Sequence, residues 1–158
     1  MKRERNFKVY LNNPSMRAAL FTPVNADDPI MVGHLAECAV FSQWQHARTF
    51  KRVRYARWRN EGEVDVVYLD GSEKPTWVGE VKWSDRVRGD HARETKNMAA
   101  LIKKHKTIKS AFFTTKTYQA VLPIDEVRVR FVPTALYCYG VGRNITDSLD
   151  LYLATKKA

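Results

Sequence analysis

A chain of 158 residues, 44% of them hydrophobic and 28% charged, suffices for one ordinary core and leaves no length for two packed domains. Lys and Arg number 27 against 17 Asp and Glu, a formal net charge of +10 that suits a polyanionic partner better than a cationic one. No apolar run approaches the ~20 residues of a membrane helix, Met1-Lys2-Arg3-Glu4-Arg5 leads into no signal-peptide core, and neither GxxxxGK(S/T) nor GxGxxG occurs, so the reading is a cytoplasmic domain without a phosphate cradle for nucleotides.

Residues 8–20 start as a short strand-like piece, turn at Asn12-Asn13-Pro14 and enter one or two helical turns at Ser15-Met16-Arg17-Ala18-Ala19-Leu20. After a polar loop, residues 29–47 are the most apolar stretch. Val32, Leu35, Ala36, Ala39, Val40 and Ala47 keep helical spacing and Phe41 and Trp44 widen the face, so this helix should be largely buried. Residues 1–30 read as an N-terminal extension packing on a core domain over 31–158.

Three runs of strand character follow over 50–58, 63–69 and 76–83, most economically joined as two hairpins. Ser84-Asp85 can cap a helix over 86–105; residues 108–115 and 127–132 read as strands, and 133–139 as a last short helix ended by Gly140. The order predicts an α/β fold with an αβββαβ core, a mixed central sheet flanked by helices. Cys38 and Cys138 sit in apolar stretches without CxxC or Cys/His spacing and read as buried thiols, with no disulfide framework or zinc knuckle.

Glu37 is the one formal charge between Asp28 and Arg48 and shares a helical stripe with Phe41 and Trp44. A buried carboxylate requires a cation, a metal or a donor; Arg54 or Arg57 of the next strand would serve structurally. In Glu63-Val64-Asp65-Val66-Val67-Tyr68-Leu69, strand alternation points Asp65 where Val67 and Leu69 point. In Thr76-Trp77-Val78-Gly79-Glu80-Val81-Lys82-Trp83 it sets Glu80 and Lys82 side by side with Val78.

If these strands pair antiparallel with Asp65 opposite Glu80, the turn centres between Ser72 and Glu73, inside the Gly-containing loop. The two carboxylates could then share one cation beside Lys82, and a slip of one residue would destroy the arrangement. This is the residue set of metal-dependent phosphodiester hydrolysis: carboxylates holding Mg²⁺ or Mn²⁺, and a lysine orienting water and offsetting charge on phosphate. Cross-strand salt bridges on a half-exposed sheet would use the same residue types.

Glu37, Asp65 and Glu80-Val81-Lys82, in this order on an αβββαβ pattern, resemble the PD-(D/E)xK nuclease superfamily, with Val64 in the place of the family's proline. More narrowly, Lys8-Val9-Tyr10-Leu11-Asn12-Asn13-Pro14, Gly33-His34-Leu35-Ala36-Glu37, Tyr55-Ala56-Arg57-Trp58-Arg59 and the carboxylate motifs resemble the C-terminal nuclease-like domain of uncharacterised prokaryotic AAA+ ATPases, over about residues 8–84. The resemblance implies Asp65 and Glu80 as metal ligands, the Val81 carbonyl as a third, Glu37 as a further ligand direct or through water, and Lys82 as the water-orienting residue. It implies a Mg²⁺- or Mn²⁺-dependent DNA endonuclease leaving a 5′-phosphate, with an AAA+ ATPase as partner in cis or in trans, and it leaves a homodimer open. The competing reading is a non-hydrolysing domain of the same fold that binds DNA or a protein.

On the helix expected over 86–105, Arg86, Arg93, Lys96, Lys103 and Lys104 fall within about a third of the circumference, opposite Met98, Leu101 and Ile102. Such a stripe could track a phosphate backbone, or be a solvated face. Tyr55, Trp58, Trp77 and Trp83 read as sheet packing; His34, His91 and His105 lack metal-ligand spacing, His34 alone lying one turn from Glu37.

Overall fold

The computed structural model describes residues 9–45, 53–58 and 62–155. Helices α1 (Ser15–Leu20) and α2 (Pro29–Gln45) precede strands β1 (Val53–Trp58), β2 (Gly62–Leu69) and β3 (Pro75–Glu80). A 3-10 turn (Arg86–Arg88), α3 (His91–Glu94) and α4 (Lys96–Lys104) lead to β4 (Ser110–Thr115), β5 (Ala120–Ile124), β6 (Val127–Pro133) and α5 (Thr134–Thr155). Among the described residues six strands form one sheet in the order β1-β2-β3-β4-β6-β5. It is antiparallel across β1-β2-β3 and at β5-β6, and parallel at β3-β4 and β4-β6. This is the expected mixed α/β sheet flanked by helices, with β5 as an added edge strand.

The β2-β3 hairpin is built by its own turn residues. Asp70 Oδ1 accepts from the N–H groups of Ser72 at 2.7 Å and Lys74 at 3.0 Å, and Glu73 takes the left-handed conformation, φ 61°. At the β3-β4 pairing Gly79 stands opposite Phe112, whose ring covers the glycine so closely that an added Cβ would lie 2.2 Å from it. Only glycine fits there.

Two cores sandwich the sheet. Val67, Val78, Met98, Ile102, Phe113 and Phe131 are buried on the α4 side, and Val40, Trp44, Val66, Val81 and Phe112 under α2 and α5. Helix α2 is half-covered rather than largely buried, with Ala36, Val40, Ser42 and Trp44 buried and Ile30 69% exposed, and Asp28 caps it, its Oδ1 accepting from Ile30 N–H at 3.1 Å and Met31 N–H at 3.0 Å just outside Pro29. In the N-terminal extension, Tyr10 stacks on Phe41 of α2 at 3.9 Å. Cys38 and Cys138 are free thiols, half-buried rather than buried.

Two further helix expectations are corrected. The helix over 86–105 is broken into three pieces, because Asp90 caps a new start by accepting from Arg93 N–H at 3.1 Å and Thr95 returns its hydroxyl to the His91 carbonyl at 2.8 Å. The last helix does not stop at Gly140 but continues to Thr155, since Tyr137, Cys138 and Val141 pack against the α2-side core and this tertiary burial outweighs the roughly 1 kcal/mol cost of a helical glycine. The expectations on residues 50–52 and 59–61, and on the side chains of Tyr55, Arg57 and Trp58, lie outside the described residues. Among those described, no helix is long and apolar enough to cross a membrane.

Candidate metal centre and active site

Strand register brings the carboxylates together. Val66 pairs with Gly79, Val67 with Val78 and Tyr68 with Trp77, and the same register continued by one residue sets Asp65 opposite Glu80. The strict alternation expected from Glu63 to Leu69 is not kept. Arg54 pairs with Val67 but Ala56 with Val64, so Asp65 and Val66 together oppose one residue of β1. Such a bulge bends the strand and re-aims a side chain. Val64 and Val67 accordingly both join the α4-side core while Val66 joins the other.

Glu80 is the last residue of β3, and beyond it the chain leaves the ladder. Val81 N–H donates to Asp65 Oδ2 at 3.0 Å. The Lys82 ammonium lies 2.5 Å from Glu80 Oε1 and 3.9 Å from Asp65 Oδ2. Asp65 is 3% and Glu80 8% exposed, so both charges are largely removed from water. Burial first, and then the Asp65 charge, push the Glu80 carboxyl up to about 7 against the pull of Lys82. Burial opposes the Lys82 charge, but Glu80, Asp65 and more distantly Glu37 outweigh it and hold the ammonium above its ordinary value. Glu80 Oε2 is buried and meets no hydrogen-bond donor of ordinary geometry among the described residues.

An orphaned carboxylate oxygen beside a second buried carboxylate fits a hard divalent cation, which prefers oxygen and would supply the missing positive charge. Asp65 and Glu80 would be its side-chain ligands, completed by the Val81 carbonyl and water. Among the described residues no group of three His, Cys, Asp or Glu side chains converges closely enough to hold a metal ion. Glu37 thus stands outside the immediate cluster. Its Oε2 is 3.4 Å from the Tyr10 hydroxyl, and its charge is felt at Lys82. His34 is exposed, and His91 lies against Phe131 at 5.2 Å, away from the carboxylates.

Two supporting residues, Thr114 and Thr134, carried no expectation from the sequence. Thr114, fully buried, accepts from Lys82 N–H at 2.9 Å and returns its hydroxyl toward the Lys82 carbonyl at 3.0 Å. Thr134, the first residue of α5, places its hydroxyl 3.2 Å from the same carbonyl and 2.9 Å from Thr115 O. The signal for Thr114 was the pair of hydroxyls, Thr114-Thr115, that ends the apolar run Ala111-Phe112-Phe113. Asp85, read as a helix cap, makes no cap bond. It accepts instead from the N–H groups of Lys116, Thr117 and Tyr118 and from the Thr117 hydroxyl at 2.6 Å, tying the segment after the site to the loop after β4.

The basic residues do not form one helical stripe. Arg86 and Arg93 fall on separate short elements, whereas Lys96, Lys103 and Lys104 share an exposed face of α4 opposite Met98, Leu101 and Ile102. All five are exposed. Trp77 and Trp83 are half-buried, and Trp77 stacks on Tyr68 at 5.4 Å as sheet packing.

Residues 35–100 are similar to a family described as archaeal and bacterial proteins of unknown function, DUF234. The matched stretch runs from α2 into α4 and contains Glu37, Asp65, Glu80 and Lys82. No curated protein and no solved structure matches the chain.

Proposed function

We propose that the protein is a Mg²⁺- or Mn²⁺-dependent DNA endonuclease module of the PD-(D/E)xK type. One observation carries this reading: buried Asp65 and Glu80 converge at the sheet end with Lys82 between them, and one Glu80 oxygen is left without a donor among the described residues. A bound divalent cation would supply Lewis acidity toward the scissile phosphate. Lys82, 39% exposed at its side chain, has room to turn from Glu80 toward an attacking water, donate a hydrogen bond to it and offset charge developing on phosphate.

Glu37 would act through water. Arg86, Arg93 and the α4 lysines Lys96, Lys103 and Lys104 would meet the DNA backbone, with the steep salt dependence of phosphate contacts. The resemblance over about residues 8–84 also implies the narrower reading, a module working with an AAA+ ATPase in cis or in trans, which we place in the cytoplasm and leave open to self-association as a homodimer.

A second reading is favoured by the Glu80–Lys82 ion pair itself. With Lys82 seated on Glu80 and no third carboxylate in the cluster among the described residues, the triad could be purely structural in a domain that binds DNA or protein without cleaving it. Plasmid and branched DNA incubated with Mn²⁺ separate the two. The nuclease reading expects cleavage by the wild type and its loss in Asp65→Ala and Lys82→Ala. Absence of cleavage by the wild type, or equal cleavage by the variants, leaves the structural reading.

A further inference from the structure

The α2-α5 layer does not cover its whole sheet face. Trp44 of α2 meets Tyr137 of α5 edge-on at 6.2 Å, and Tyr137 stacks on Phe112 at 4.5 Å, so the two helices close over the middle of the sheet. Six strands spaced about 4.8 Å apart span roughly 24 Å, and helices pack 8–10 Å apart, so a third helix has room beside α5 over β6 and β5. That position is a groove of about 900 Å³ among the described residues.

Its floor follows from register. Val127, Val129 and Phe131 are buried on the α4 side, so Arg128 and Arg130 project into the groove, with Val121 opposite Arg130 and Pro123 opposite Arg128. Leu136 of α5 forms the wall; Val121 and Leu136 are 49% and 46% exposed. No Asp or Glu lines the groove among the described residues, and neither arginine is in an ion pair there.

We propose that this groove docks an acidic amphipathic helix of a partner protein, its apolar stripe on Val121 and Leu136 and two of its carboxylates on Arg128 and Arg130. The spacing admits a helix. Residues two apart on a strand are about 6.7 Å apart, and carboxylates at i and i+4 of a helix laid along that strand are about 6 Å apart. Strand addition at the β5 edge is disfavoured because Pro123 offers no N–H. Nucleic acid is disfavoured because the part-exposed rings lining the groove are already engaged in stacking, Tyr137 on Phe112 and Trp77 on Tyr68, rather than standing open as platforms for a base. The docking site stands independently of whether the carboxylates hydrolyse anything.

The test uses the full chain and three labelled probes in fluorescence anisotropy at about 0.1 M salt. They are a helical peptide with Leu at i, i+3, i+4 and i+7 and Glu flanking at four-residue spacing, the same peptide with Lys for Glu, and a single-stranded oligonucleotide. The Glu peptide should bind the wild type and lose about tenfold or more in Arg128→Glu/Arg130→Glu, which should instead bind the Lys peptide. Amide shift changes in the wild type should centre on Val121 and Leu136, and Arg128→Ser/Arg130→Ser should also weaken the Glu peptide should the reversed variant fold poorly. The proposal is overturned if the Glu peptide does not bind, if it binds wild type and both variants equally, or if only the oligonucleotide responds to the arginine substitutions.

Discussion

Lys82 N–H donates to Thr114 Oγ1 at 2.9 Å, and the same hydroxyl lies 3.0 Å from the Lys82 carbonyl. The β3-β4 ladder ends at Glu80 and Phe113, so beyond it one side chain takes over both backbone groups that a paired strand would have satisfied. The peptide bearing the lysine is thereby fixed while its ammonium stays half-exposed.

Replacing Thr114 by Val should therefore leave the part-buried Lys82 N–H without its acceptor and its C=O with the Thr134 hydroxyl alone, and cost about 1–3 kcal/mol. Thr114→Ser keeps the hydroxyl and should cost about 1 kcal/mol for the lost methyl. Urea unfolding measures both. The Ser variant should retain DNA cleavage and the Val variant should lose most of it.

Asp85 supplies the pH dependence. Burial works against its charge, but the Thr117 hydroxyl and the N–H groups of Thr117, Tyr118 and Lys116 outweigh it and hold the carboxyl below its usual range. With the folded value depressed, the stabilisation is present above the unfolded Asp value of about 3.9 and is lost as pH falls through the lower folded value. Asp85→Ala should be about 1–2 kcal/mol less stable than wild type at pH 7, discounted for solvent access, and the difference should shrink below about pH 4. Urea midpoints across that range check it; a constant difference would assign the loss to something other than the carboxylate.

Gly79→Ala places a methyl group within the Phe112 ring at the centre of the sheet. Overpacking of this kind costs about 1–3 kcal/mol, and the ring's tight surroundings of Trp44, Trp77 and Tyr137 argue for the upper end. Thermal unfolding should show the drop, and Phe112→Leu in the same chain should recover part of it.

Much of this was legible in the chain. The turn at Asp70–Lys74 and the apolar alternation of β2 and β3 fixed one register, and that register alone aligned Asp65 with Glu80. Less local features were not legible. The bulge at Asp65 depends on the β1 partner, and the Thr114 and Thr134 clamps join residues 32 and 52 positions away from Lys82, beyond the reach of any periodicity. The broken helix over 86–105 was missed because Asp90 and Thr95 compete locally for the backbone, whereas helical spacing counts only apolar positions. At Gly140 the local stop signal yielded to packing against α2.

Mn²⁺ should stabilise the folded chain through Asp65 and Glu80. At a hundredfold excess over the dissociation constant the gain is about 2.7 kcal/mol, a rise in Tm of roughly 5–10 °C for a domain of this size. Asp65→Asn and Glu80→Gln should abolish the rise, whereas Lys104→Ala should not.

Anomalous diffraction from crystals soaked in Mn²⁺ gives the most direct answer. A peak bridging the carboxylates of Asp65 and Glu80 at about 2.0–2.3 Å, with the Lys82 ammonium displaced from Glu80, is the predicted result. Density showing Lys82 still seated on Glu80 at saturating Mn²⁺, with no ion between the two carboxylates, would contradict the metal centre and with it the hydrolytic reading.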